Sequence, residues 1–334
     1  MTVGIVSTGI YIPQTKMTSQ EIAALSDIPE EIIRQKMGIY EKPIPGPEDH
    51  TVQMGIWAAQ DALKKANIEP KLIDVVMYIG EEHKEYPLWT ASIKMQEELG
   101  AVNAWAFDVQ LRCSTTIMAM KLAKSLMESD ESIKTVLLAG GYRNGDFIDY
   151  QNPRARFMFN LAAGGGALIL QKNYEKNHLL EAAIITDGSF SEDVLVPVGG
   201  TKKPITPKDL ENNLYKLDVI DPVGMKERLE QKSLSNFLKV IRSSLSKSGL
   251  SEKELDYLAM LHMKKSAHDY VLSSLGLQED QSIYLRNYGH IGQIDQILSL
   301  QTALEVGRIQ DGHIVTLVGA GIGYVWGAIT IRWG

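Results

Sequence analysis

The chain has 334 residues, of which 44% are apolar and 22% charged, with a net charge of −7. This length supports one large or two modest domains with an ample core. The acidic balance argues against general nucleic-acid binding, and no apolar run approaches a membrane span. Cys113 is the only cysteine, which excludes an internal disulfide framework and, as a free thiol, fits a reducing cytoplasm. Met1 to Ile5 runs straight into a strand pattern, so neither a signal nor a transit peptide is expected.

In chain order, Val3 to Gly9 reads as a strand and Pro29 to Lys36 as a short helix ended by Gly38. Thr51 to Ala66 is a strongly amphipathic helix, Ile73 to Ile79 a strand, and Pro87 to Leu99 a helix. Ala104 to Val109 reads as a buried strand. Ile117, Met120, Lys121 and Leu122 then follow helical spacing, so Cys113 falls where a strand gives way to a helix. A thiol there faces unpaired backbone N–H groups and the positive end of the helix dipole, which favour the thiolate. Ser132 to Gly141 is a further strand, and Gly164-Gly165-Gly166 reads as a tight turn before the strand Ala167 to Gln171.

The second half repeats the order. It has strands at Leu179 to Asp187 and Leu255 to Leu261, then helices at Ser233 to Ser248, Ser266 to Leu275 and Ile291 to Val306. His313 to Val318 is a strand, Gly319 to Gly323 a glycine turn, and Tyr324 to Arg332 a closing strand. This alternation argues for mainly parallel sheets covered by helices. The expected fold is a five-layered α/β/α/β/α sandwich of two similar halves, residues 1–171 and 172–334. The glycine runs lack the Lys-Ser/Thr of a nucleotide loop, and the histidines lack metal-ligand spacing, so no metal is expected.

Gly4 to Pro13, Met37-Gly38-Ile39, Phe107-Asp108-Val109 before Cys113, Gly164 to Ala167, His262 at its strand end, Tyr288-Gly289 and Gly319 to Gly323 follow one another in a set order. Together they resemble the thiolase superfamily and, within it, the β-ketoacyl-acyl-carrier-protein synthase III group. The resemblance implies a thiolase-like fold and a cysteine, here Cys113, that takes an acyl group from a thioester. A His and an Asn then stabilise charge as a malonyl-derived carbanion attacks; His262 matches the His. It also implies acyl-CoA or acyl-carrier-protein partners, no further cofactor, and a homodimer paired through the strand Ala104 to Val109.

The departures matter. His290 stands where the family has its Asn, and Met263-Lys264-Lys265 replaces the residues after the first His. A neutral His donates one N–H as an amide does, but it also accepts a proton. Asp295 either orients an imidazole or is a plain helix-start carboxylate. Gly319, Gly321 and Gly323 are candidate substrate contacts, the Gly323 region through backbone N–H groups. Lys36 stands at the family's CoA-binding Arg and Ile32 at its adenine-stacking Trp. Arg154, Arg156, Lys202 and Lys203 are candidates for phosphates or plain surface charge. Three functions follow: a condensing enzyme, an acyltransferase serving a hydroxyl or amine acceptor, or a silent partner subunit, against which Cys113 and His262 argue.

Overall fold

The sequence's aliphatic runs become strands whose side chains alternate between two buried faces. The computed structural model describes residues 1–334. Nine strands form one mixed ladder. They are β1 (Val3–Tyr11), β2 (Val75–Tyr78), β3 (Trp105–Asp108), β4 (Thr135–Tyr142), β5 (Gly164–Lys172), β6 (His178–Thr186), β7 (Tyr257–Met260), β8 (Ile314–Gly321) and β9 (Val325–Arg332). The spatial order is β7-β8-β9-β6-β1-β5-β4-β2-β3. A single pair, Gly4 with His178, joins the β1 and β6 edges, so the ladder is two half-sheets hinged at one point. In the first, β1–β5 and β5–β4 are antiparallel and β4–β2 and β2–β3 parallel. In the second, β6–β9 and β9–β8 are antiparallel and β8–β7 parallel, the same progression one strand shorter.

The period-2 alternation of the strands builds the layers. In β2, Val75 and Met77 point to one core while Val76 and Tyr78 point to another. Helices α1 (Thr51–Ala66) and α2 (Ala91–Leu99) cover the outside of the first half-sheet through Val52, Ile56 and Met95. Helices α4 (Pro222–Lys247) and α5 (Lys265–Ser274) cover the second through Phe237, Ile241 and Val271. Between the half-sheets lie α3 (Thr115–Ser129) and α6 (Asp295–Glu305), whose Ile117, Met120, Ile297 and Leu300 share one fully buried core. Buried aliphatic side chains of this kind contribute about 1.5–3 kcal/mol each. The α/β/α/β/α sandwich is therefore present. Its middle layer carries the N-termini of α3 and α6, one from each half.

Local expectations needed correction in four places. Gly164, Gly165 and Gly166 are not a turn but the start of β5, paired with Tyr142, Gly141 and Gly140. A Cβ on Gly165 would lie 2.1 Å from the Met54 carbonyl oxygen, so the glycine lets α1 rest directly on the sheet. Likewise Gly319 and Gly321 belong to β8, and the turn is only Ile322 to Tyr324. The strand β3 is not buried: it ends the sheet, has one neighbour, and leaves Trp105 50% exposed. Finally, α4 starts at Pro222 rather than Ser233, capped by Asp221, whose carboxylate accepts from the Gly224 N–H at 3.0 Å. No helix is long and apolar enough to cross a membrane.

Candidate active site

The strand β3 delivers the chain to a three-residue loop and then to a single tight turn, Arg112–Ser114, that leads into α3. Thr115 braces this turn: its hydroxyl oxygen accepts from the Leu111 N–H at 2.8 Å, and the hydroxyl donates to the Arg112 carbonyl at 2.6 Å. Arg112 sits at φ +51°, a conformation that costs a non-glycine residue about 1–2 kcal/mol. Its guanidinium meets the buried Glu81 carboxylate at 3.2 Å and Glu82 at 3.6 Å. Behind Cys113 lie the glycines of β8. A Cβ on Gly321 would fall 2.8 Å from the Cys113 nitrogen, and one on Gly319 would fall 2.7 Å from its carbonyl oxygen. These two glycines leave room for the Cys113 backbone.

The start of α6 supplies the partner groups. The Cys113 Sγ lies 3.1 Å from His290 Nε2, and His290 Nδ1 lies 2.6 Å from Asp295 Oδ2. Asp295 is fully buried and also accepts from the backbone N–H groups of Ile291 (Oδ1) and His262 (Oδ2), each at 2.7 Å. With Nδ1–H given to the carboxylate, Nε2 turns a lone pair toward the thiol. Burial opposes charging this imidazole, but the Cys113 sulfur and the Asp295 carboxylate outweigh it and hold the His290 pKa well above its ordinary value. Cys113, His290 and Asp295 thus form a hydrogen-bonded line of thiol, imidazole and carboxylate.

His262 lies beside this line but is not a member of it. Its Nε2–H donates to the Gly38 carbonyl at 3.1 Å, and its Nδ1 accepts from the Asn160 amide at 2.9 Å. The ring stacks on Tyr284 with centroids 5.3 Å apart. Burial, with no carboxylate against the ring, pushes its pKa down to about 4, so it is neutral at physiological pH.

Two cavities meet at Cys113. One, about 610 Å³, is mainly apolar and is lined by Met158, Leu229, Leu234, Phe237, His262 and Ile322 among others. The other, about 650 Å³, is mixed, with Glu81, Glu82, His83, Arg112, Val196 and Gly323 in its wall. Of the residues singled out from the sequence, Cys113, His290 and Asp295 come together, His262 shares the cavity wall, and Gly323 lines the second cavity. Lys36 and Arg156 are exposed and line neither cavity. The cations in the apolar cavity's wall are instead Arg154, Lys226 and Lys264. The sequence reading missed Asn160, whose place between Phe159 and Leu161 carries no motif. It also missed Lys42, which packs beneath Asn160 in the interior. No group of three or more His, Cys, Asp or Glu side chains is placed to hold a metal ion.

Two family models match the chain: 3-oxoacyl-[acyl-carrier-protein] synthase III over residues 107–188, which hold Cys113, and its C-terminal part over residues 245–333, which hold His262, His290 and Asp295. The β-ketoacyl-[acyl-carrier-protein] synthase III of Thermosynechococcus vestitus is 27% identical over 330 residues, 97% of this chain and 96% of the relative. That of Geobacillus kaustophilus is 28% identical over 338 residues, covering both chains fully. The crystal structure of the 3-oxoacyl-[acyl-carrier-protein] synthase III of Aquifex aeolicus superposes with a TM-score of 0.84 at 22% identity, over 99% of this chain and all of that one. The Cys113 turn and the His290–Asp295 helix start therefore lie on a shared scaffold, and the chain belongs to the 3-oxoacyl-[acyl-carrier-protein] synthase III family of acyl-transferring condensing enzymes.

Proposed function

We propose that the chain primes chain synthesis of the fatty acid or polyketide type, taking an acyl group onto Cys113 and passing it to a malonyl-derived carbanion. The observation that carries this is the 3.1 Å approach of His290 Nε2 to the Cys113 sulfur, with Asp295 behind it. His290 takes the thiol proton, the thiolate attacks the thioester carbonyl, and the departing CoA or carrier thiolate leaves with that proton. A malonyl thioester then loses carbon dioxide, its α-carbon forms the new bond to the acyl carbonyl, and the Cys113 sulfur leaves as thiolate. The Nε2–H of His262, by giving up the Gly38 carbonyl, steadies the malonyl thioester oxygen as charge builds on it.

The thioester arm fits the apolar cavity, where Lys264 faces its phosphate and Arg154 and Lys226, paired with Asp218 and Glu230, would exchange partners to reach it. The chemistry needs no further cofactor, and a cysteine nucleophile suits a reducing cytoplasm. The two halves, 1–171 and 172–334, act as one unit, since each contributes one helix start to the site. A homodimer through β3 would cover an edge strand and the exposed Trp105, Tyr86 and Leu88 near it.

One observation favours a second reading, transfer to a hydroxyl or amine. Such an acceptor must lose a proton as it attacks, and the His290–Asp295 pair supplies a base that an amide at position 290 cannot. Denaturing mass spectrometry with acyl-CoA and acyl-carrier-protein donors, followed by a malonyl thioester, separates the two. Carbon dioxide release coupled to a β-ketoacyl product is expected; turnover without any malonyl group would overturn condensation in favour of transfer. An adduct on Cys113→Ala would overturn both.

A further inference from the structure

Lys42 lies in the interior, 1% exposed, and no carboxylate pairs with its ammonium. Burying such a charge costs several kcal/mol unless its donors are satisfied, and burial lowers the amine's pKa to about 7. Its Nζ donates to the carbonyls of Phe159 at 2.7 Å and Leu161 at 2.6 Å, and lies 5.3 Å from the centre of the Tyr150 ring. Those two carbonyls flank Asn160.

The same short segment touches both imidazoles of the site. The Asn160 amide donates to His262 Nδ1. Its carbonyl accepts from the His290 N–H at 2.8 Å, and the Ala162 N–H donates to the His290 carbonyl at 2.9 Å, a parallel bridge that fixes the His290 backbone. Gly289 sits at φ +61° over this contact, where a Cβ would fall 2.4 Å from the Asn160 oxygen. The neighbour of Lys42, Pro43, accepts from the Ala163 N–H at 3.1 Å, so the 41–43 strand and the 159–163 segment are tied at both ends.

We propose that Lys42 is a positioning residue: by clamping the carbonyls on either side of Asn160, it sets the ring of His262 and the backbone of His290 relative to Cys113. It touches neither cavity and no reacting atom, and acts only through Asn160 and its neighbours. This rests on the reading of Cys113 and His290 as the acyl-transfer pair.

The test compares Lys42→Met, which removes the donors, with Lys42→Gln, which keeps a neutral one. Two readouts need no substrate: iodoacetamide alkylation of Cys113, which reports the His290–thiol contact, and the ¹⁵N imidazole spectrum of His262, which reports its tautomer. Lys42→Met is expected to slow alkylation and acyl-CoA acylation by about 10–10²-fold, with the thioester KM within about threefold, as for a misplacement remote from the chemistry. The His262 Nδ1 signal should move, and Lys42→Gln should recover part of both. If Lys42→Met does not fold, Lys42→Gln carries the test, and unchanged alkylation and His262 spectrum in that variant overturn the inference. A folded Lys42→Met with unchanged alkylation and His262 spectrum overturns the inference. Wild-type protein that no thioester acylates would instead overturn the functional reading and leave these two readouts to stand.

Discussion

The two imidazoles in the wall of the apolar cavity are both buried, and they differ in what faces their nitrogens. His290 sits between a sulfur and a carboxylate, so burial fails to keep it neutral and its pKa rises. His262 sits between a carbonyl and an amide, so burial prevails and its pKa falls to about 4. Yet the two are coupled, because Asp295 accepts both the His290 ring N–H and the His262 backbone N–H on one oxygen. Shared depth in a cavity therefore does not assign a shared role; the partner groups do. One ring lies between the thiol and a carboxylate, and the other is a neutral donor to a backbone carbonyl.

Substitutions at the two rings should separate these roles. His290→Ala is expected to slow Cys113 acylation by about 10²–10⁴-fold, the range for general-base catalysis, measured by rapid quench and mass spectrometry. An unaltered acylation rate would mean that the 3.1 Å contact is idle. His262→Ala should leave acylation within a few-fold and instead slow the malonyl step by about 10²–10³-fold, as for loss of one oxyanion donor. Equal losses in both steps would erase the distinction between the rings.

Asp295→Asn probes what joins them. With its oxygen kept toward His290 and His262, the amide nitrogen faces the Ile291 N–H, leaving two donors opposed in the interior. Urea unfolding should show a stability loss of about 1–3 kcal/mol. Turnover should fall by less than in His290→Ala.

The smallest effect is the pH dependence of stability, and its sign differs between the rings. The folded pKa of His262 lies below its unfolded value, so the unfolded chain binds more protons and stability falls as pH drops from about 6.5 toward 4. His268, also pushed down to about 4 by burial, adds to the same window. The raised pKa of His290 does the reverse: its contribution is full below the unfolded value and is lost as pH rises through the folded one. Removing His262 should flatten the acid limb of the stability curve, and removing His290 should not.

Much of this was legible from residue order alone, because local physics dictates it. Helical spacing after Cys113 and apolar runs in strand lengths need only their own neighbours to be read, so the five layers and the nucleophile's place ahead of α3 follow from the chain. His290 and Asp295 were legible as a departure at one position and a carboxylate five residues on. Their union with Cys113 was expected only through the family resemblance, since the sulfur and the ring are 177 residues apart and only the stacking of α3 against α6 closes that gap. The glycines of β5 and β8 looked like turns because a glycine's need for room is invisible until the helix or turn that occupies the room is placed. Trp105 looked buried because a strand's pattern does not say whether it ends a sheet. The same holds for His262, Asn160 and Lys42. Hydrogen bonds spanning more than a hundred residues decide whether a buried histidine is charged, and no local pattern encodes such partners.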